Sequence, residues 1–276
     1  MDYDTNLSSA LVVGDTHLKQ KYICAAVDAA LQRYRIDEVV FTGDYSDDWL
    51  ASDEAALIAL RRFAQWIETR RREGMSIRLV LGNHDLCYLK GVEGPGTQFD
   101  IIDEVRDLLE RFQMEMAVEV EGYLITHAGI TQRWIDEYMS VCCGKDKASR
   151  AASAAQVLNE MFADQTYWDV LDSCGSGRGG WDIPGPLWAD LWELKADPAL
   201  GINQIVGHTP VAQCASVEIG SNQLWFCDTF SLTSALRPIG NGGMLLVSDG
   251  KAEVLSFKQL MGCSWAETMS DYFPGK

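Results

Sequence analysis

The chain has 276 residues, 47% of them hydrophobic, enough for one large α/β domain or two small ones with a substantial core. Its formal net charge of -17 argues against sequence-independent binding to nucleic acid or to an anionic membrane, since both depend on clustered Lys and Arg. A small phosphorylated substrate is still admitted, because divalent cations reverse the local sign in a site built from carboxylates.

No apolar run approaches the ~20 residues of a spanning helix. The N-terminal "MDYDTNLSS" is acidic where a leader would be basic, so the expectation is a cytoplasmic protein without membrane contact. Cys24, Cys87, Cys142, Cys143, Cys174, Cys214, Cys227 and Cys263 form no C-x-x-C pair, and several lie inside apolar stretches, which reads as reduced, structural thiols.

In chain order, "ALVVGD" (10–15) reads as a strand, and 20–35 as a helix with Ala25, Ala26, Ala29, Ala30 and Tyr34 on its apolar side. "VVFTGD" (39–44) predicts a second strand and 53–72 a long helix with Leu57, Leu60, Ala64 and Ile67 at helical spacing. "IRLVLGN" (77–83) predicts a third strand. Residues 100–112 then place Ile101, Ile102, Val105, Leu108, Leu109 and Phe112 on one helical stripe. After "YLITHAG" (123–129) the rhythm changes. A polar, Ala-rich helical segment follows near 147–163, then a glycine cluster "CGSGRGGW" (174–181), and five of the nine tryptophans fall in this middle part. Alternation resumes at "NQIVGH" (203–208). The last strands, "ASVEI", "QLWFCDT", "GMLLVSDG" and "AEVLSF", are joined too closely for crossover helices and read as antiparallel. The economical organisation is one domain, 1–276, with a cap-like insertion at about 131–202. The C-terminal "SWAETMSDYFPGK" reads equally as a docked arm or a loose tail.

Five of these segments share one design: a short apolar run, usually a glycine, then a side chain able to hold a metal. They are "VVGDTH", "FTGDYSDD", "LVLGNHD", "LITHAG" and "IVGHTP", and together they use all four histidines. Loops leaving the carboxyl ends of strands in an open α/β sheet gather along one edge, so five such ends can converge. They offer Asp15, His17, Asp44, Asp47, Asn83, His84, His127 and His208. Any one of them alone reads as a turn, a helix cap or a hydrogen-bonded loop residue. The five together read as a site of nitrogen and oxygen donors without thiolate, suited to Mn, Fe, Zn or Mg. There are more donors than one ion requires, and two ions about 3.5–4 Å apart form the apparatus for in-line attack on phosphorus.

The collinear order GD-x-H, GD-x-x-D, GNH-[DE], H-[AG]-G and GH, spanning residues 14 to 208, resembles the calcineurin-like metallophosphoesterases. Many members end with Gly-His-x-His. This chain reads "GHTP", with Pro210 in the last place, and with Asp47 three after Asp44 it looks like the phosphoprotein phosphatase branch, which includes Ser/Thr phosphatases and bacterial diadenosine tetraphosphatases. "FCDTFSLTSALRPI" (226–239) also resembles the strand after the last ligand in bacterial members.

The resemblance implies a four-layer α/β sandwich of two mixed sheets flanked by helices, with a dimetal site at strand C-terminal ends. It implies two divalent ions, Mn first, with Fe, Zn, Mg or Ni as alternatives. Asp15 and His17 would hold one, Asp44 would bridge, and Asn83, His127 and His208 would hold the other. His84 would protonate the leaving oxygen with Asp47 accepting its other N–H, and Asp85 would be a supporting or capping carboxylate. A metal-bridging hydroxide would attack directly, without a covalent phosphoenzyme.

Where this branch carries an arginine after GD-x-x-D, the chain has Asp48, which cannot hold phosphate. Arg178, flanked by glycines in "GSGRGGWDIPGPLW", is the best substitute and resembles an arginine that contacts phosphate in related bacterial enzymes; the alternative is a surface loop with an incidental arginine. Arg133 and Arg237 are weaker candidates. Cations near the motifs are few, which favours a phosphate monoester, on a protein or a small molecule, over a dinucleoside polyphosphate or a cyclic nucleotide. The tryptophans of the insertion, Trp134, Trp168, Trp181, Trp188 and Trp192, read as packing for the cap or as a stacking surface for a ring.

Overall fold

The computed structural model describes residues 9–139, 146–270 and 272. Cys142 and Cys143, the first eight residues and the last four lie outside them.

β1 (Ser9–Val13) leads through α1 (Gln20–Arg33) to β2 (Glu38–Phe41), and β2 through α2 (Asp53–Arg72) to β3 (Ser76–Leu79). These three strands are parallel, Leu11 facing Val39 and Val39 facing Ile77. α3 (Asn83–Lys90) and α4 (Ile102–Phe112) precede β4 (Val118–Val120) and β5 (Tyr123–Thr126). Between β5 and β6 (Asn203–Val206) lie α5 (Gln132–Tyr138), α6 (Lys147–Ala163), the single turn α7 (Trp168–Leu171) and α8 (Leu191–Ala196). β7 (Ala215–Ile219), β8 (Asn222–Phe226), β9 (Met244–Ser248), β10 (Lys251–Leu255), α9 (Phe257–Met261) and α10 (Trp265–Thr268) complete the described chain.

Two mixed five-stranded sheets result, in the orders β10-β9-β1-β2-β3 and β4-β5-β6-β8-β7. The pleat explains how they stack. Ala10, Val12 and Val40 point one way and join Ile125, Ile205 and Cys227 of the other sheet in a shared apolar layer. Their neighbours Leu11, Val13, Val39 and Phe41 point the other way, into a core with α1, α2 and α4. α5 and α6 cover the outer face of the second sheet through Trp134, Ala151, Ala154 and Leu158. This is the expected four-layer arrangement.

Three local expectations are corrected. The third strand ends at Leu79, and Asn83 and His84 open a helix instead, because Asp85 at its third position accepts the Gly82 amide and caps it. The buried face of α1 is Ile23, Ala26, Val27 and Ala30, while Ala25 and Tyr34 are exposed. The aliphatic residues, with more area to bury, set the rotation of that helix. The late strands form two antiparallel hairpins, β7/β8 and β9/β10, but these enter different sheets, and β8 runs parallel to β6. The long connection after β8 makes that switch. Among the described residues no helix is long and apolar enough to cross a membrane, and Cys24, Cys87, Cys174, Cys214, Cys227 and Cys263 are free thiols.

Candidate metal centre

The loops leaving β1, β2, β5 and β6, with the first turn of α3, bring Asp15, His17, Asp44, Asp47, Asn83, His84, His127 and His208 together, all but fully buried except for the edges of His17, His84 and His208. Two groups of donor atoms share Asp44: His17, Asp44 and His84 on one side, Asp44, His127 and His208 on the other. Asp44 Oδ2 lies 3.5 Å from both His17 Nε2 and His127 Nε2. The bridging place implied by the resemblance is therefore the geometric centre of the cluster. Asp44 reaches it from a left-handed backbone conformation (φ 55°), which Asp tolerates better than most residues.

The motif glycines allow this crowding. A Cβ on Gly207 would stand 2.0 Å from Asp15 Oδ1, and one on Gly82 would stand 2.1 Å from Asp44 Oδ1. Asp85 braces the same corner, accepting from the amides of Asp44 and Tyr45 (2.9 Å each) and from the Ser46 hydroxyl (2.8 Å). Asp15 is held by the Thr42 hydroxyl (2.9 Å) and the His208 amide (2.8 Å).

The donor set fits divalent cations. His127 donates its Nδ1–H to the Thr42 carbonyl (2.8 Å), so its Nε2 carries a lone pair. That nitrogen lies 2.8 Å from Asn83 Oδ1 and 3.0 Å from His208 Nδ1, and His208 Nδ1 lies 3.1 Å from Asn83 Oδ1. His208 Nε2 is buried without a hydrogen-bond partner. Donor atoms crowded this closely fit a cation among them, since ligands at about 2.0–2.2 Å from one ion come within such contact of each other.

Ionisation agrees. Burial first, then the charges of Asp228 and Asp44, push Asp15 well above the usual carboxylate range. Burial likewise raises Asp44 to about 6, against the opposing charge of His84. Burial lowers His127 to about 4 and holds His17 and His208 well below the usual histidine value, with the charge of His84 adding to the effect at His17 and that of His127 at His208. The three imidazoles are thus neutral donors, and the carboxylates are costly to ionise without a countercharge.

His84 is different. Burial would lower it, but the charges of Asp44 and Asp47 and the hydrogen bond to Asp47 outweigh that and raise it to about 10. Its Nδ1 lies 2.7 Å from Asp47 Oδ1, which leaves Nε2 toward the cluster, 3.9 Å from Asp44 Oδ2. These carboxylates favour the imidazolium form beside the candidate ligands, a form able to donate one proton.

A cavity of about 270 Å³ opens over these groups, lined also by Lys19, Asp48, Trp49, Arg178, Trp188 and Asp228. Arg178 reaches it from the glycine-rich loop. Its Nη2 donates to the Thr209 hydroxyl (2.7 Å), and its Nε lies 3.0 Å from Asp190 Oδ2 but is not aimed to hydrogen-bond it. Arg178 is thus ion-paired with Asp190 at the wall of the cavity. Arg133 and Arg237 are exposed and do not line the cavity. Among the five tryptophans of the insertion, Trp134 is buried, Trp168 stacks on Phe162, Trp188 packs edge-on to His208, and Trp181 and Trp192 are exposed.

Sequence reasoning singled out neither Lys19, Trp49 nor Asp228. Asp228 had the same signal as the others, since it ends the apolar run "LWFCD". It lies against the site with both oxygens bound by the Ser231 hydroxyl (2.9 Å each), and burial raises it to about 6.

The chain belongs to the calcineurin-like phosphoesterase family, whose model matches residues 9–224. It is 28% identical over 160 residues to a symmetrical bis(5'-nucleosyl)-tetraphosphatase of Erwinia tasmaniensis, covering 52% of this chain and 55% of that protein. A counterpart in Salmonella paratyphi C is 28% identical over 150 residues, 49% of this chain and 50% of that one. The chain thus spans about half the length of the curated relatives it matches. Among solved structures, a mutant cold-active protein tyrosine phosphatase shares the fold, with a TM-score of 0.52 at 16% identity over 91% of this chain and 81% of its own.

Proposed function

We propose that the protein is a dinuclear metal-dependent phosphatase that hydrolyses phosphate monoesters, phosphoserine and phosphothreonine in proteins included. The observation that carries this reading is the His84–Asp47 pair at 2.7 Å next to Asp44, the carboxylate that two candidate donor groups share, His84 itself falling in one of them. In this reading Asp15, His17 and Asp44 hold one cation, and Asp44, Asn83, His127 and His208 hold the other. Manganese comes first among the candidates for this mixed nitrogen and oxygen set. When bound, the cations would supply countercharge to the phosphate and acidity to the attacking water.

The residues of the chain do the rest. Arg178, which lines the cavity, would turn its guanidinium from Asp190 to a phosphate oxygen. As the water oxygen bonds to phosphorus, the ester P–O bond breaks and its electron pair leaves with the ester oxygen. His84 Nε2 gives its proton to that oxygen, and Asp47 keeps the ring oriented and charged until then. The products are an alcohol and inorganic phosphate. The reading treats residues 131–202 as an insertion of a single domain, and a cytoplasmic setting accords with the free thiols.

A second reading, hydrolysis of dinucleoside polyphosphates, is favoured by the names of the curated relatives. The cavity argues against it. Its lining cations are Lys19, His84 and Arg178, each already facing a carboxylate, Asp48, Asp47 and Asp190, whereas four phosphates need several. Incubation of the manganese-loaded protein with a phosphopeptide, a small alkyl phosphate, diadenosine tetraphosphate and a cyclic nucleotide, with product analysis, tests both. Turnover of the first two supports the monoester reading. Turnover confined to diadenosine tetraphosphate replaces it with the second.

A further inference from the structure

Trp49 is 62% exposed, yet it stands at the rim of the buried metal cluster and lines its cavity. Its ring packs edge-on to that of His84, with centroids 6.4 Å apart and planes at 86°. The turn that carries it is pinned. Asp48 accepts the Trp49 amide on Oδ1 (2.8 Å), and its carbonyl accepts the Ala51 amide (3.1 Å). Its Oδ2 is held by the buried Lys19 ammonium (3.1 Å) and by the Tyr272 hydroxyl (3.2 Å). The acid that stands where a phosphate-binding arginine was expected thus serves to fix a tryptophan beside the proton donor.

A large apolar ring held in water on a rigid turn forgoes the burial free energy it would gain against a partner. The position of the ring says what that partner is. His84 delivers its proton to the leaving oxygen, so whatever touches Trp49 belongs to the leaving group and not to the phosphate. The charge around it sets the second condition. The carboxylates lining the cavity are Asp44, Asp48 and Asp228, while Lys19 is paired with Asp48, His84 with Asp47 and Arg178 with Asp190, so among the described residues a further phosphate on the leaving group would meet no unpaired cation.

We infer that Trp49 is a specificity-determining platform for the leaving group, and that the preferred substrate is a phosphate monoester whose leaving group carries a neutral aromatic ring close to the ester oxygen. The inference rests on the phosphatase reading above and narrows its substrate class. The ring of the leaving group would stack on Trp49 while His84 protonates the oxygen next to it. Trp188 packs against His208, a candidate ligand, and not against the proton donor.

The test compares benzyl phosphate with ethyl phosphate, both of which leave as alkoxides that need the proton from His84. The quantity read is the ratio of their kcat/KM values for the manganese-loaded wild type, Trp49→Ala and Trp49→Phe. The wild type is expected to prefer the benzyl ester, Trp49→Ala to lower that preference about 5- to 10-fold, and Trp49→Phe to keep most of it. Circular dichroism and metal content, which an exposed side chain should not move, show that each variant is folded and loaded. Hydrolysis of both esters with the same ratio in all three proteins overturns the platform and leaves the phosphatase reading standing. Hydrolysis of neither ester by the wild type overturns the phosphatase reading, and the platform with it.

Discussion

Replacing Asp47 by Asn keeps an oxygen in place to accept the His84 Nδ1–H and removes only the charge. In the wild type, Asp44 and Asp47 hold His84 up at about 10 although it is almost wholly buried. A carboxylate in direct contact with an imidazolium is worth about 1–3 pKa units, or roughly 1.4–4 kcal/mol. The sign follows from the role. A group raised in the folded protein is charged below its pKa and loses its proton as pH rises through it, so a donor that must be protonated gives kcat/KM an alkaline limb. Losing Asp47 moves that limb toward acid by about 1–3 pH units. Bound cations lower the absolute position in both proteins, so the difference between them carries the argument. With ethyl phosphate, Asp47→Asn should approach wild-type turnover at about pH 6 and fall about tenfold for each further unit above its displaced limb. A pH profile of kcat/KM for each protein, with metal content matched, makes the measurement. Superimposable alkaline limbs would refute the assignment of Asp47 as the residue that keeps His84 charged.

Arg178→Ala should lower kcat/KM about 10- to 100-fold, the value of one hydrogen bond to a charged group, and Arg178→Lys should restore little because the guanidinium fork is lost; steady-state kinetics on an alkyl phosphate checks both. Divalent metal at about a hundredfold excess over Kd should stabilise the fold by about 2.7 kcal/mol for each ion bound, on the order of 5 °C in Tm per ion, read by thermal unfolding with and without chelator. In the metal-free protein the penalty for ionising Asp44 and Asp228, each raised to about 6, is complete above that pH and is relieved as pH falls toward the usual carboxylate value. The neutral His17, His127 and His208, held below the usual histidine value, lose stability over the same range and oppose that gain. Protonation of carboxylates and imidazoles alike competes with metal, so the metal increment in Tm should shrink between neutral pH and about 5, and an increment that grows over that range contradicts the reading. Gly207→Ala drives a Cβ to 2.0 Å from Asp15 Oδ1 and should cost about 1–3 kcal/mol. Elemental analysis should then find one metal per chain where the wild type has two.

The candidate ligands were legible because they follow five short apolar runs, Asp15 and His17 sharing one. Short-range spacing fixes both the strand and the side chain beyond it, and the sheet then aligns the ends. Within one strand the reading was less secure. Glycine and Asn83 after "LVL" look like a strand running on, and only the cap from Asp85 turns them into the start of α3.

What escaped the sequence depends on contacts between distant positions. Asp48 is an anomaly while its only visible relation is to the motif around it. Its meaning comes from Lys19, 29 residues earlier, and Tyr272, 224 residues later. Neither pairing leaves a local pattern, because a lysine after "DTHL" and a tyrosine near the C-terminus are each ordinary alone. The same holds for Trp49, which reads as one more tryptophan until its turn is seen to be pinned beside His84. The two kinds of information divide by chemistry. Ligands must reach a common point, so their backbone positions are tightly constrained and show as spacing. The leaving-group wall has only to present the right surface, a demand that many side chains from many parts of a chain can meet. Reaction class is accordingly carried here by motifs, and substrate preference by tertiary contacts around Asp48.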